Sequence, residues 1–174
     1  RILIDAGLID DTTKIWWDLR PSAKFPTLET RIMDVCTRLD DTVSLTALLV
    51  CIFRMLYRLR LHNQRWRIYT PMLIRENRWR AMRYSFDEGL VDLAKGSVVP
   101  FEDLLDEMLS LIAEDAEALG CTDEVNDLRH IMQRGTSAHR QLKKYELEVA
   151  GGASHDDALK AVVDKLVKDT AEGL

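Results

Sequence analysis

The 174-residue sequence contains no P-loop, no GxGxxG turn and no GxSxG elbow. Any nucleotide chemistry here therefore needs a scaffold other than the P-loop. Cysteine is scarce, and Cys36, Cys51 and Cys121 are an odd number without metal-ligand spacing. This speaks against a disulfide framework and for a reduced, cytoplasmic compartment. The three read as small buried hydrophobes. The histidines, His62, His130, His139 and His155, are scattered without HExxH spacing, so no metal role falls to them. No signal-peptide pattern opens the chain. The most apolar run, LTALLVCIFRMLY, is broken by Arg54 and too short to cross a bilayer, so it reads as a buried helix and no membrane partner is expected. Internal repeats and low-complexity blocks are absent from the sequence.

What is present fits one soluble domain or a large piece of one: 47% apolar and 30% charged residues. The net charge of −5 hides an asymmetry, because residues 14–83 carry 14 Lys+Arg against 6 Asp+Glu, and the remainder 10 against 23. Twelve of those 14 cations are arginine, whose planar fork suits carboxylate and phosphate. Anion recognition in the first half is the first functional hint. The first residue is Arg1 rather than Met, and RILIDAGLIDD reads as the middle of something. The expectation is a fragment with part of its site absent.

Periodicity predicts a short helix around Leu8–Trp17, turns at Pro21 and Pro26, and a strand over Thr27–Val35. Asp41 or Thr42 would cap a helix running to about His62. Its stripe of Leu45, Leu48, Leu49, Ile52, Leu56 and Leu59 is joined by Val50, Phe53 and Tyr57, so burial on most sides is expected. A helix from Pro71 to about Tyr84 follows, then a small hairpin around Lys95-Gly96. Helices fill the rest: Phe101 to Gly120, Thr122-capped to Gly135, Ser137-capped to Gly151, and one capped by Ser154 with Asp157. The fold class is α+β and mostly helical. A lone strand needs partners, which suggests a sheet continued outside this sequence.

On the strand, Glu29 and Arg31 share one face with Thr27 and Met33, while Asp34 lies on the other. A carboxylate beside a guanidinium suits Mg²⁺ and a phosphate that it bridges; the plainer reading is an exposed strand with an ion pair. Asn77, Arg80 and Arg83 line one side of their helix, with Arg75 and Arg78 rotated away. They offer a cradle for phosphate oxygens or, more plainly, a solvated basic face. Arg20, held extended before Pro21, could reach an anion. Trp16 and Trp17 read as core residues.

The stretches KIWWDLRPSAKFPTLETRIMDVCTRLDD, ENRWRAMRY, GLVDLAKGSVVPF, EDAEALGC and RGTSAHRQL, in this order and spacing, closely resemble the carboxylate–amine ligases of the glutamate–cysteine ligase type 2 family. The resemblance covers nearly the whole chain and matches the C-terminal half of such enzymes. It implies part of a glutamine-synthetase-like catalytic fold, with one central strand and a small hairpin. Residues 1–100 would form the site and 101–174 a helical portion. It further implies ATP-dependent amide formation through an acyl-phosphate, with ATP and Mg²⁺ as cofactors and a glutamate-like acid and an amine such as cysteine as substrates. A homodimer is a further implication, and nucleic acid is not an expected partner. Glu29 would ligate the metal, Arg31 would hold the phosphate or acyl-phosphate, and Arg20, Asn77, Arg80 and Arg83 would line the nucleotide or substrate pocket. One departure is Ser85, where relatives commonly have glycine. The rival reading is a non-catalytic helical module that binds an anionic partner through its arginines.

Overall fold

The computed structural model describes residues 1–22 and 24–172, and the chain divides into two compact units, Arg1–Val35 and Cys36–Leu174. The smaller unit begins with a single turn, α1 (Ile2–Asp5), and a 3₁₀ turn at Thr12–Lys14, where Asp11 Oδ1 accepts a 2.6 Å hydrogen bond from the Thr13 amide. The expected helix over Leu8–Trp17 does not form; the Asp11 side chain captures the local amide and tightens the chain there instead.

Two three-residue strands follow, β1 (Leu19–Pro21) and β2 (Leu28–Thr30), paired antiparallel with Arg20 opposite Glu29. The Arg31 amide donates to Asp18 O at 2.7 Å and extends the pairing by one bond. The strand expected over Thr27–Val35 is therefore shorter, and its partner is the segment just before it. Within the described residues it belongs to a two-stranded sheet, and the apolar side chains of Leu28, Ile32 and Val35 are exposed. The two prolines kept β1 from being read as a strand, although Pro is tolerated on an edge that needs no donor.

In the larger unit, α2 (Leu39–Leu61) packs against α4 (Phe101–Leu119), α5 (Thr122–Asn126) and α6 (Leu128–Arg134). Cys51 and Met55 meet Leu105, Leu109, Ile112, Ala116, Val125 and Leu128 to form the core. The helix expected from Thr122 to Gly135 is broken at Asp127, where the His130 amide turns back to Asp127 O at 2.9 Å. Helix α2 is less enclosed than its stripes suggested, with Val43, Val50, Tyr57 and Leu61 exposed. At 23 residues it is long and apolar enough to cross a membrane by length and composition, unlike the shorter run read from sequence. Two of its arginines instead reach into the helical core. Asp115 has no exposed surface and accepts hydrogen bonds from Arg54 at 2.5 Å and from Arg58 at 2.8 Å. Burial pushes the Asp115 carboxyl up, but the hydrogen bonds and charges of Arg58 and Arg54 outweigh it and hold the group below its ordinary value.

Pro71 opens α3 (Pro71–Tyr84), as a first-turn proline does. The hairpin of β3 (Leu90–Asp92) and β4 (Ser97–Val99) is where the sequence placed it. Asp92, nearly buried, organises its turn by accepting the amides of Ala94 and Lys95 at 2.9 and 3.1 Å. At the base of this hairpin Gly89 has φ +64°, and a Cβ there would fall 2.2 Å from Val99 O. Helices α7 (Ser137–Ala150) and α8 (His155–Ala171) form an antiparallel hairpin. Thr136, not Ser137, caps α7, because His139 closes a reciprocal box with it. Ser154 caps α8 and accepts from the Asp157 amide at 3.2 Å, as expected.

Candidate active site

The smaller unit assembles its predicted residues into one cluster. Glu29 receives Arg20 Nε on Oε2 at 2.7 Å and Arg31 Nη2 on Oε1 at 2.6 Å. Cross-strand pairing brings Arg20 opposite Glu29, and the two-residue period places Arg31 on the same face, as read from sequence. The Arg20 hydrogen bond is the leading cause that holds the Glu29 carboxyl below its ordinary range, with the charges of both arginines adding to it.

The two guanidiniums differ in their further contacts. Arg20 also donates from Nη1 to the carbonyls of Thr13 and Ile15 at 3.0 and 2.9 Å, and its side chain is only 15% exposed. It ties the 3₁₀ turn to the hairpin. Arg31 is twice as exposed, at 34%, and stacks 4.6 Å above the ring of Trp16. Trp16 and Trp17 are both exposed, a correction to their core reading; Trp16 serves instead as a platform for a cation.

The donor set bears on magnesium. Mg²⁺ takes six oxygens in octahedral array, whereas Glu29 is a single carboxylate with both oxygens already held by cations. Among the described residues, no group of three or more His, Cys, Asp or Glu is placed to hold a metal ion. These residues do not by themselves fit a divalent cation.

In the larger unit, Asn77 and Arg80 share a face of α3, as their spacing predicted, and that face meets β3. Asn77 exchanges two hydrogen bonds with the Val91 backbone, Nδ2 to O at 2.8 Å and N to Oδ1 at 2.7 Å. Arg80 donates to the carbonyls of Gly89 and Glu88 at 3.2 and 2.6 Å. Both side chains dock the hairpin on the helix. Asn77 also lines a mostly apolar cavity of about 390 Å³, walled by Leu48, Ile52, Trp66 and Phe101, with Arg67 and Asp92 among its polar groups. Arg83 is exposed, 6.0 Å from the Tyr84 ring, and does not join the pair.

The Arg54–Asp115–Arg58 triad escaped sequence reasoning. Its signal was available: two arginines four apart within an apolar helix, and an aspartate beside the apolar stripe of α4. Cys51 and Cys121 lie with their sulfurs 3.5 Å apart, and burial, followed by the Cys121 contact, pushes the Cys51 thiol up to about 12.

The family model of glutamate–cysteine ligase family 2 matches residues 1–165. A relative from Rhodospirillum rubrum named "Putative glutamate--cysteine ligase 2" is 58% identical over 174 residues, which is 100% of this chain and 45% of that protein. Proteins of the same name from Jannaschia sp. and Paracoccus denitrificans are 55% and 45% identical, each over 97% of this chain and over 44% and 45% of their own lengths. The chain thus spans less than half the length of these relatives. On the match over nearly all its residues, the chain belongs to glutamate–cysteine ligase family 2.

Proposed function

We propose that the protein to which this chain belongs is an ATP-dependent carboxylate–amine ligase, and that these residues supply part of its site. The observation that carries the reading is Arg31, a half-exposed guanidinium fixed by Glu29 and Trp16 and open to an anion. Family membership supports ligation as the reaction class. In the proposed chemistry, a carboxylate oxygen of a glutamate-like acid attacks the γ-phosphorus of ATP, the P–O bond to ADP breaks, and an acyl-phosphate forms. The amine nitrogen of a second substrate such as cysteine then attacks the acyl carbon, loses its proton, and phosphate leaves with the C–O bond electrons. Positioning and charge neutralisation dominate such transfers. Arg31 is assigned the phosphoryl or acyl-phosphate oxygens.

Arg20 acts one step removed, by holding Glu29 and the preceding turn in place. Asn77 and Arg80 act by fixing the β3–β4 hairpin, and Arg83, exposed on the same helix, is assigned to the nucleotide or substrate. Glu29 is assigned to Mg²⁺ only in a state where a guanidinium has released one of its oxygens, with the remaining ligands from outside these residues. A glutamine-synthetase-like sheet, a homodimer and a cytoplasmic setting belong to the same reading.

The test is ADP and amide formation from ATP, glutamate and cysteine, by the open reading frame that carries these 174 residues and by the 174 residues alone. Turnover is expected from the first and not from the second. If the longer protein forms no ADP with any amino-acid pair, the ligase reading fails. Salt-sensitive nucleic-acid binding in its place would favour the helical-module reading.

A further inference from the structure

From Tyr84 onward the chain is strongly acidic, with 20 Asp+Glu against nine Lys+Arg. Six of those nine cations nevertheless line one groove along α7 and α8: Arg134 from the end of α6, with Arg140, Lys143, Lys144, Lys165 and Lys168. The groove encloses about 770 Å³, within the range of small-molecule sites. Two carboxylates, Asp164 and Asp169, share its lining.

Some of this charge is satisfied internally. Arg134 pairs with Asp41, Lys144 with Glu148, and Lys165 with Asp169 at 3.0 Å. Arg140 Nε lies 3.5 Å from Asp169 without a hydrogen bond, while its Nη1 donates to Gly135 O at 2.8 Å and its Nη2 to Thr37 Oγ1 at 3.0 Å. Among the described residues, Lys143 and Lys168 have no ion-pair partner, and both are exposed. Like charges that converge on one cleft raise the local concentration of counter-ions and favour a multivalent anion over a monovalent one. Lysines offer point charges, which suit tetrahedral phosphate without demanding the planar geometry of a carboxylate.

We propose that the α7–α8 groove is a binding site for a small phosphorylated anion bearing two or more negative charges. Lys143 and Lys168 supply its free cations, and Arg140 forms part of its lining. Its lining shares no residue with the Arg20–Glu29–Arg31 cluster, and the proposal does not depend on the ligase reading.

The test is calorimetric titration of the 174-residue chain with inorganic pyrophosphate at fixed ionic strength, with citrate as a second arm. Saturable pyrophosphate binding is expected, weakened about tenfold or more in Lys143→Glu/Lys168→Glu. The variant Lys24→Glu/Lys160→Glu changes net charge equally but lies outside the groove lining, and should retain affinity within about twofold. Because Lys143 and Lys168 are exposed, neither exchange removes a core contact. Absent binding, or equal weakening in both double variants, overturns the site. Citrate bound as tightly as pyrophosphate overturns its assignment to phosphate.

Discussion

Arg58 grips Asp115 with two atoms, Nη2 to Oδ2 at 2.8 Å and Nε to Oδ1 at 3.3 Å, while Arg54 takes Oδ1 from the other side. Asp115 is fully enclosed, whereas the arginine side chains are 27% and 36% exposed. The triad thus places its anion in the core and leaves its cations partly hydrated. Asp115→Ala should cost about 3 kcal/mol, the low end for a broken buried pair, because the released arginines can turn to water. Urea unfolding of the two proteins measures it, and a loss below about 1 kcal/mol would mean that the pair is energetically idle.

The same carboxylate gives a pH dependence. Its folded pKa lies below the ordinary value of 3.8, so its contribution is complete above that value and fades as pH falls through the folded one. The stability difference between wild type and Asp115→Asn should therefore shrink below about pH 4 and hold steady from there to neutrality. Thermal midpoints across that interval check it.

Ser85 ends α3 with φ +54° and ψ −121°, a conformation that glycine adopts with ease and serine does not. The family resemblance implies glycine at this position, from which Ser85 departs. Ser85→Gly should stabilise the protein by about 1 kcal/mol, strain relief exceeding the added freedom of the unfolded chain. A lowered melting temperature would contradict this.

Arg31 and Arg20 should separate in the complete enzyme if the ligase reading holds. Arg31→Met is expected to lower turnover about 100-fold or more with the fold intact, as loss of one charge-stabilising donor does. Arg20→Met removes the hydrogen bonds to Thr13 O and Ile15 O as well as to Glu29. It should loosen the Leu19–Thr30 hairpin itself, seen as faster amide exchange there. Equal exchange in both variants would refute the division of roles.

Cys51 should resist alkylation in the native protein. Its thiol, pushed up to about 12 and wholly buried, holds almost no thiolate at pH 8. Cys36, which is partly exposed, should react first. Peptide masses after iodoacetamide treatment, with and without denaturant, decide it.

Much of the larger unit was legible because local signals agreed with one another. Pro71 fixed one helix start, Gly120 one helix stop, and Ser154 with Asp157 a third boundary. Where a side chain bonds in a less usual way, the reading slipped: His139 in place of glutamate moved the α7 cap to Thr136, and Asp11 converted an expected helix into a 3₁₀ turn. The face shared by Glu29 and Arg31 followed from a two-residue period. That Arg20 would bind the same carboxylate depended on a hairpin whose first strand contains Pro21, and no periodic pattern shows through three residues. For Asn77 and Arg80 the shared face was correct, but α-helical spacing says nothing of what will lie opposite, here the backbone of Val91 and Gly89.

One consequence of the β3–β4 hairpin concerns what substitutions it will accept. At position 89 any side chain meets the Val99 carbonyl, so a library sorted for folded protein should return glycine alone. Gly96, at the opposite end with φ +71°, has nothing within 4 Å of where a Cβ would stand. Asparagine or aspartate, which tolerate that backbone, should survive there. Two glycines within eight residues of sequence thus face opposite mutational fates, the first set by crowding and the second by backbone conformation alone.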